Sequence, residues 1–289
     1  MIERMKAVAA AGAVAAFWLA VWVFVAALVA QPLILPGPGA VVVALLRLVC
    51  DAGTWAILAG SGARILGGLA LAAVCGGLLA GISSRSRAFA RLVAPALSFV
   101  KATPVACVVV LLLIWLGSAR VSIAAVFLMA LPGVYFSLVE GLAQVDQPLE
   151  QMFRLHGVQG WRLFCAHTWR EVLPFVLSCA RAVIGMSWKA GVAAELIGMA
   201  TGTVGERIYQ AKLLIETADL LAWTVLVVAA SWACERVLVW LLRASGPVAW
   251  RTAVRAHGRG GRGRACGSAG GGAAGVSLPV PPGYAAPGL

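Results

Sequence analysis

Long apolar runs, separated by short polar segments, occupy most of the chain. A helix needs about 20 predominantly apolar residues to cross the hydrocarbon core of a bilayer. Six runs approach or exceed that length, and they predict membrane helices at 7–30, 55–82, 92–116, 121–139, 175–199 and 220–242. Strands of a membrane barrel would instead alternate polar and apolar residues. The pattern therefore predicts an all-α membrane protein with about six transmembrane helices.

The third run contains Pro104. Proline removes a backbone donor and clashes with the preceding turn of a helix. Pro104 therefore predicts either a kink in the third helix or a break between two shorter segments.

Composition and charge agree with a chain that lies mostly in lipid. Of its 289 residues, 62% are apolar and 12% charged, against about 45–50% and about 25% in soluble domains. The formal net charge is +12. With the N-terminus inside, fourteen lysines and arginines fall in inner segments, and the outer loops hold only Arg47, Arg120, Arg207 and Lys212. Because these residues favour cytoplasmic loops, both termini are predicted to be cytoplasmic.

Three parts are predicted along the chain. Residues 1–30 form an N-terminal transmembrane helix, which is long for a secretory signal peptide and is expected to be retained. Residues 31–243 form the core. Residues 244–289 are rich in Gly, Pro and Arg, and such a segment cannot bury enough surface to offset its ordering entropy. We expect a disordered tail, or one whose arginines contact anionic lipid headgroups.

Several kinds of chemistry find no support in the sequence. A phosphate-binding loop needs a lysine directly after a glycine in a fixed motif, and none of Lys6, Lys101, Lys189 and Lys212 follows one. The seven cysteines are scattered singly and do not space with the histidines as metal ligands do. The basic residues are not gathered on one soluble face, as nucleic-acid binding requires. We expect no enzyme, metal, cofactor or nucleic acid.

The inner segment 147–174 is long for a loop between two membrane helices. Its first apolar residues have the spacing of a short amphipathic helix: Leu149, Met152, Phe153 and Leu155. Gly157 then interrupts the pattern, and a second short helix begins with Trp161, Leu163 and Phe164. The segment ends at Leu173-Pro174. It predicts either a docking element for a cytoplasmic protein or a helix lying on the membrane surface.

This segment resembles the cytoplasmic coupling loop of permeases from binding-protein-dependent ABC importers. Their motif runs Glu-Ala-Ala, three residues, Gly, nine residues, Ile, one residue, Leu-Pro. Gly157 matches the glycine. Further matches to the nitrate/sulfonate/taurine branch are Trp161, Phe164 and Leu173-Pro174. The chain departs from the motif at Gln151-Met152-Phe153, which replaces Glu-Ala-Ala, and at His167, Trp169 and Arg170, which replace the Ile and the first Leu-Pro.

The resemblance extends over about residues 30–243. It includes "LILPGPGAVVVALLRL", the second helix with Arg64 and Gly68, "SFVKATPVACVVVLLLIWLGS" and "WKAGVAAELIGMATGTVGERIYQAKLLIETADLLAWT". It implies a type I ABC importer permease in a bacterial inner membrane. A second permease copy would complete the pore as a homodimer, and ABC ATPase subunits would dock under the loop. A periplasmic or lipid-anchored binding protein would deliver a small solute, such as a sulfonate, a nitrate-like anion or an organic acid.

Seven charges fall within or near the predicted spans: Arg64, Lys101, Arg181, Lys189, Glu195, Glu235 and Arg236. Such charges are costly in lipid, so they face a partner or a cavity. Arg181 and Glu235 lie at similar depth and are expected to pair. Lys189 lies near the midplane, and Glu195 is about 240° further round the same helix, so Lys189 meets a carboxylate from another helix or faces the pore. Candidate residues of the translocation pathway are thus Lys189, Glu195 and Lys101.

Two other functions compete with this interpretation. An ion-coupled secondary transporter would favour inverted repeats and broken helices near the midplane, and no convincing repeat is present in the sequence. A membrane enzyme would need titratable residues converging near one interface. His156 and His167 share the inner segment with Glu150 and Glu171, but at no recognisable motif spacing.

Overall fold

The computed structural model describes residues 2–260, and their regular structure is entirely helical. The helices are α1 Ile2–Val29, α2 Pro38–Cys50, α3 Ala52–Arg85, α4 Arg87–Ala102, α5 Val105–Leu116, α6 Ser118–Ala143, α7 Gln147–Leu155, α8 Trp161–Leu163, α9 Trp169–Gly198, α10 Val204–Leu213 and α11 Thr217–Gly260. A π-helical turn, Phe164–Thr168, joins α8 to α9.

Five apolar stretches in the described residues are long enough to cross a membrane: Gly12–Val29, Ala52–Arg85, Ser118–Ala143, Trp161–Gly198 and Thr217–Ala244. A sixth span results if α4 and α5 are taken together, although they meet at 102°. The predicted all-α membrane protein with about six spans is therefore confirmed.

The sharp bend between α4 and α5 occurs at Pro104. Thr103 is extended, with φ −73° and ψ 132°, because the proline ring disfavours the helical region for the residue before it. Pro104 itself stands just before the first turn of α5. Of the two alternatives that the sequence left open, a break between shorter helices is the correct one.

Helices α3, α6 and α9 form the core of the bundle. Ile65, Val126, Ile184 and Trp188 are buried at their shared contact. The packing depends on small residues, since a Cβ at Gly191 would lie 2.5 Å from the Ile65 side chain. Close approach of this kind is typical of membrane helices, because van der Waals contact holds them together.

Two further helices have no counterpart among the predicted spans. α2 packs against α11, and Arg47 of α2 forms an ion pair with Asp219 at the start of α11. α10 is a ten-residue helix that packs on α9 and α11. Both are too short or too polar to be found by a search for membrane spans.

The last helix is longer than the sequence predicts. α11 continues to Gly260, past the expected end of the sixth span at 242, so residues 244–260 are helical where a disordered tail was expected. Alanine and arginine, which favour helices, are frequent in this part. The remainder of the predicted tail, 261–289, lies outside the described residues.

Candidate coupling loop and translocation pathway

The first helix of the inner loop, α7, is fixed at its start by Asp146. The Asp146 carboxylate accepts a hydrogen bond from the Leu149 backbone N–H at 3.3 Å, which satisfies one of the donors that a helix start leaves unpaired. One turn on, Arg154 forms an ion pair with Glu150 at 2.7 Å. These contacts explain why the predicted amphipathic helix forms at 147–155.

Gly157 ends α7 in a left-handed conformation, with φ +77°. Its N–H donates to the Arg154 carbonyl at 3.0 Å, and the Val158 N–H donates to the Phe153 carbonyl at 3.0 Å. A Cβ at Gly157 would meet nothing within 4 Å, so the backbone angle alone calls for glycine. The expected backbone requirement at Gly157 is thus present, and its role in coupling stays a prediction.

His167 ties the two ends of the loop together. It is buried in the π-helical turn, and its Nε2 lies 3.1 Å from the Asp146 carbonyl oxygen. Its Nδ1 lies 3.5 Å from Glu171 Oε1, and Glu171 Oε2 accepts the Asp146 N–H at 2.8 Å. α7 is therefore joined to the start of α9 by a closed set of polar contacts.

The loop also presents an apolar surface that the described residues leave exposed. Leu155 is 87% exposed and Trp161 is 76% exposed. Trp161 stacks on Phe164 with ring centroids 5.2 Å apart. Met152 and Gln151 are exposed nearby, whereas Phe153 is half-buried. We call Met152, Leu155 and Trp161 the exposed apolar face of the loop.

Leu173 and Pro174 lie inside α9 rather than at the end of a loop. α9 begins at Trp169, five residues before Pro174, so the chain is already helical when it reaches them. Leu173 is half-buried and Pro174 is exposed.

A cavity of about 1160 Å³ opens beside the loop, between the parts of α3, α6, α9 and α11 that lie nearest to it. Its wall is mostly apolar, with Leu69, Leu138 and Val176 among the lining residues. Arg85, Glu150 and Arg154 supply its charged groups. The loop thus borders an open space within the bundle.

The structure places the three candidate pathway residues in different surroundings. Lys189 is exposed on α9, and Lys101 is exposed beside the α4–α5 break. Neither ammonium has a hydrogen bond or ion pair with any side chain that the structure describes. Glu195 is fully buried, and the structure does not bring it together with either lysine.

Glu195 belongs to a polar cluster that joins three helices. Its Oε2 accepts a hydrogen bond from the Ser61 hydroxyl of α3 at 2.8 Å and one from the Gly205 N–H of α10 at 3.4 Å. The Ser61 oxygen in turn accepts the Val204 N–H at 3.0 Å. Arg64 Nη1 lies 4.0 Å from the other oxygen, Glu195 Oε1. We call Ser61, Arg64 and Glu195 the buried polar cluster.

Sequence reasoning missed Ser61 and α10. One signal was available, because Thr203 and Glu206 have the spacing of a capping box. The Thr203 hydroxyl accepts the Glu206 N–H at 3.1 Å, and Glu206 reaches back to the Gly202 N–H at 2.5 Å. This pattern could have predicted a helix beginning at 204.

The expected pair between Arg181 and Glu235 is not formed. No ion pair joins them in the described part of the chain, where the ion pairs that form include Arg47–Asp219, Arg64–Glu195, Arg154–Glu150 and His167–Glu171. Arg236, beside Glu235, instead lies 4.5 Å over the Trp232 ring. Equal depth in two helices does not ensure that the side chains face each other.

Comparison with known proteins identifies the class. The family described as binding-protein-dependent transport system inner membrane component matches residues 73–248. This match covers more than half of the chain, which therefore belongs to that family. The protein is a multi-pass transport subunit of a bacterial inner membrane, and its helices are those of an importer permease.

Individual relatives carry the names of several transport systems. The chain is 27% identical to the putative aliphatic sulfonates transport permease protein of Escherichia coli, over 64% of this chain and 70% of the relative. It is 29% identical to the taurine transport system permease protein of the same organism, over 71% and 76%. It is 24% identical to the bicarbonate transport system permease protein of Synechococcus elongatus, over 62% and 65%.

Proposed function

We propose that two copies of this chain form the translocation pore of an importer for a small anion, driven by separate ATPase subunits. The solute would be a sulfonate, a nitrate-like anion or a related organic acid. The observation that carries the ATPase assignment is the exposed apolar face of the loop, Met152, Leu155 and Trp161. A surface of this kind on a polar inner loop is typical of a docking site.

The contacts of the loop would allow it to transmit movement from a docked ATPase to α9. His167, Asp146 and Glu171 join α7 to the start of α9, and α9 carries Lys189 about two thirds of the way along. Movement of a docked ATPase would therefore be passed to the helix that bears a pathway residue. This link supports alternating access, in which nucleotide-driven closure of the ATPase opens the pore to one side and then the other.

Charge supports an anionic solute. Lys101 and Lys189 have no counter-charge within the described residues, and a cation in a membrane span requires a partner or a water-filled cavity. The relatives named above are described as permeases for sulfonates, taurine or bicarbonate, which carry a sulfonate or carbonate group. Lys189 and Lys101 would line the path, and Glu195 would act from inside the protomer.

The first helix supports a second copy of the chain. In the stretch Gly12–Val29, none of the residues is buried against the rest of the protomer. Such a helix would cover part of the partner permease or face lipid. A periplasmic or lipid-anchored binding protein would deliver the solute from the outer side, and both termini would lie in the cytoplasm.

The break at Pro104 favours one alternative, an ion-coupled secondary transporter. Broken helices form the ion sites of many such proteins, and α4 and α5 meet at 102°. Under this alternative the inner loop would need no partner.

One experiment separates the two functions. The chain would be purified from its native membrane with its partners and reconstituted into liposomes that contain ATP. The importer predicts a co-purified ATPase and uptake that stops when ATP is withheld. Uptake that continues without ATP and collapses with the ion gradient would overturn it. Mass spectrometry of the ligand on the co-purified binding protein would identify the solute.

A further inference from the structure

Arg64 is an arginine in a membrane-spanning helix whose guanidinium donates no hydrogen bond within residues 2–260. A guanidinium carries five N–H donors. Its Nη1 is buried without a partner. The nearest carboxylate oxygen, Glu195 Oε1, lies 4.0 Å away and is also buried without a hydrogen bond. Two opposite charges therefore approach each other without completing a hydrogen bond.

The position of Glu195 is fixed from the other side. Its Oε2 is bonded to Ser61 and Gly205. The tight contact between Gly205 and the Glu195 backbone, where an added Cβ would lie 2.5 Å away, leaves α10 no room to shift. The Glu195 carboxyl group is thus held in one position beside the Arg64 guanidinium.

Arg64 also reaches the surface of the protomer. Its side chain is 32% exposed, whereas that of Glu195 is 0% exposed. It lies between the buried face of α3, with Ser61 and Ile65, and the exposed face, with Ala63 and Gly67. At about 1.5 Å per residue, it is roughly 18 Å from the first residue of α3. Its side chain is therefore partly exposed well inside the candidate span Ala52–Arg85, where a lipid environment would offer its remaining donors no acceptor.

We propose that Arg64 binds the anionic group of the solute and that Glu195 positions its guanidinium and limits the affinity. The planar fork of arginine matches carboxylate and sulfonate oxygens in a two-point contact. A fixed carboxylate 4.0 Å away repels the same anion, which keeps binding weak enough for release, as conduction requires. The inference rests on the proposed import of an anion, and it gives that function a specificity-determining residue.

The proposed roles of Arg64 and Glu195 predict opposite effects on the affinity for the anion. Arg64→Met removes the contact and should raise the Kd for an anion about tenfold or more, the usual value of a charged hydrogen bond. Arg64→Lys keeps the positive charge but loses the planar two-point contact of the guanidinium, so it should raise the Kd less than Arg64→Met does. Glu195→Gln keeps the shape and the acceptor for Ser61 but removes the repulsion, so it should lower the Kd. A purely structural role for Glu195 predicts the reverse.

The test uses the complete permease–ATPase complex in nanodiscs, without its binding protein. Equilibrium binding would be measured with labelled methanesulfonate, nitrate and benzoate, and with neutral methanesulfonamide as a charge control. Arg236→Met is the matched variant, since Arg236 is a second arginine in a spanning helix and contacts Trp232. It should bind as the wild type does. Arg64→Met should also lose most of the preference for the sulfonate over the sulfonamide.

The outcomes distinguish a failure of this inference from a failure of the proposed anion import on which it rests. If the wild-type importer with its binding protein takes up none of the three anions, the proposed anion import fails, and this inference with it. If uptake occurs but the permease complex shows no saturable anion binding, or Arg64→Met binds as tightly as the wild type, the role of Arg64 is overturned and the import function stands. If Arg64→Met does not assemble, Arg64→Lys and Glu195→Gln must still shift the Kd in opposite directions; shifts of the same sign would refute the proposal.

Discussion

The His167 ring stacks on Phe153 with their centroids 5.6 Å apart, so the buried start of the α9 region holds the end of α7 directly. The same imidazole reaches the Asp146 carbonyl, just before the first residue of α7. Both ends of α7 are therefore fixed to one side chain. We therefore expect a movement of α7 to be passed to the start of α9.

We predict that His167→Ala uncouples ATP hydrolysis from uptake. The change removes the stacking on Phe153 and the contacts to Asp146 and Glu171, and a lost buried hydrogen bond costs about 1–3 kcal/mol. The helical bundle should assemble, and ATPase subunits should still bind the exposed apolar face. The ratio of solute imported to ATP hydrolysed, measured in proteoliposomes, should fall severalfold.

His156 provides the control for this prediction. It lies in the same loop but is exposed, and its Nδ1 contacts only the local Met152 carbonyl, at 2.8 Å. His156→Ala should leave the coupling ratio near that of the wild type. Equal losses in both variants would argue against a specific joint at His167.

We predict that Gly157→Ala weakens coupling and that Gly157→Trp abolishes it. A residue with a Cβ at φ +77° pays about 1–2 kcal/mol for the left-handed conformation, so the end of α7 should shift. Gly39→Ala is the control, because Gly39 has no positive φ and nothing within 4 Å of an added Cβ. Wild-type uptake in Gly157→Trp would count against a docking role for the loop.

The sequence predicted elements well where one feature decided the local structure. Pro104 fixed the α4–α5 break, and Gly157 indicated the turn after α7. His167 was different, because the sequence showed it only as a departure from the family motif and as one of two histidines at no recognisable motif spacing. Its role depends on Asp146, 21 residues earlier, and no local pattern shows that the two ends of the loop meet.

The buried polar cluster shows the same limit within the membrane. Helix geometry correctly indicated that Glu195 is no partner for Lys189, since the two point in different directions from α9. It could not indicate Ser61 as the partner, because that contact depends on the register between α3 and α9. The expected Arg181–Glu235 pair is absent for the same reason. The sequence indicates the depth of each residue in its helix but not the direction in which its side chain points.

We predict that Cys165 is shielded from outside the cell. It lies in the loop between α6 and α9, in the π-helical turn, and the charge bias predicts that this loop is cytoplasmic. Single-cysteine variants would be treated with a membrane-impermeant thiol reagent in intact cells. Cys50, exposed at the end of α2, should react at once, whereas Cys165 should react only after permeabilisation. Cys266 of the tail, outside the described residues, should behave as Cys165 does. Labelling of Cys165 in intact cells would show that the chain has the opposite orientation in the membrane.

The last prediction concerns Lys189. Its ammonium is exposed on α9 and has no partner within residues 2–260, so in the assembled importer it faces either the pore or a carboxylate of the second copy. We predict the pore. Lys189→Met should then reduce uptake of an anion at least tenfold, because a desolvated charge contact contributes about 1.5–3 kcal/mol, while the dimer and its ATPase subunits stay assembled. Lys189→Arg should keep part of the uptake.

Lys212 supplies the comparison for Lys189. It is also exposed, but it lies 5.9 Å over the Tyr209 ring at the end of α10, outside the candidate membrane spans. Lys212→Met should transport as the wild type does. Size-exclusion chromatography of each variant complex, run beside the uptake assay, distinguishes the two positions of Lys189. Lost uptake with an intact dimer places the ammonium in the pore, whereas dissociation of the dimer places it against a carboxylate of the partner. Wild-type uptake in Lys189→Met, with the dimer intact, would exclude both positions.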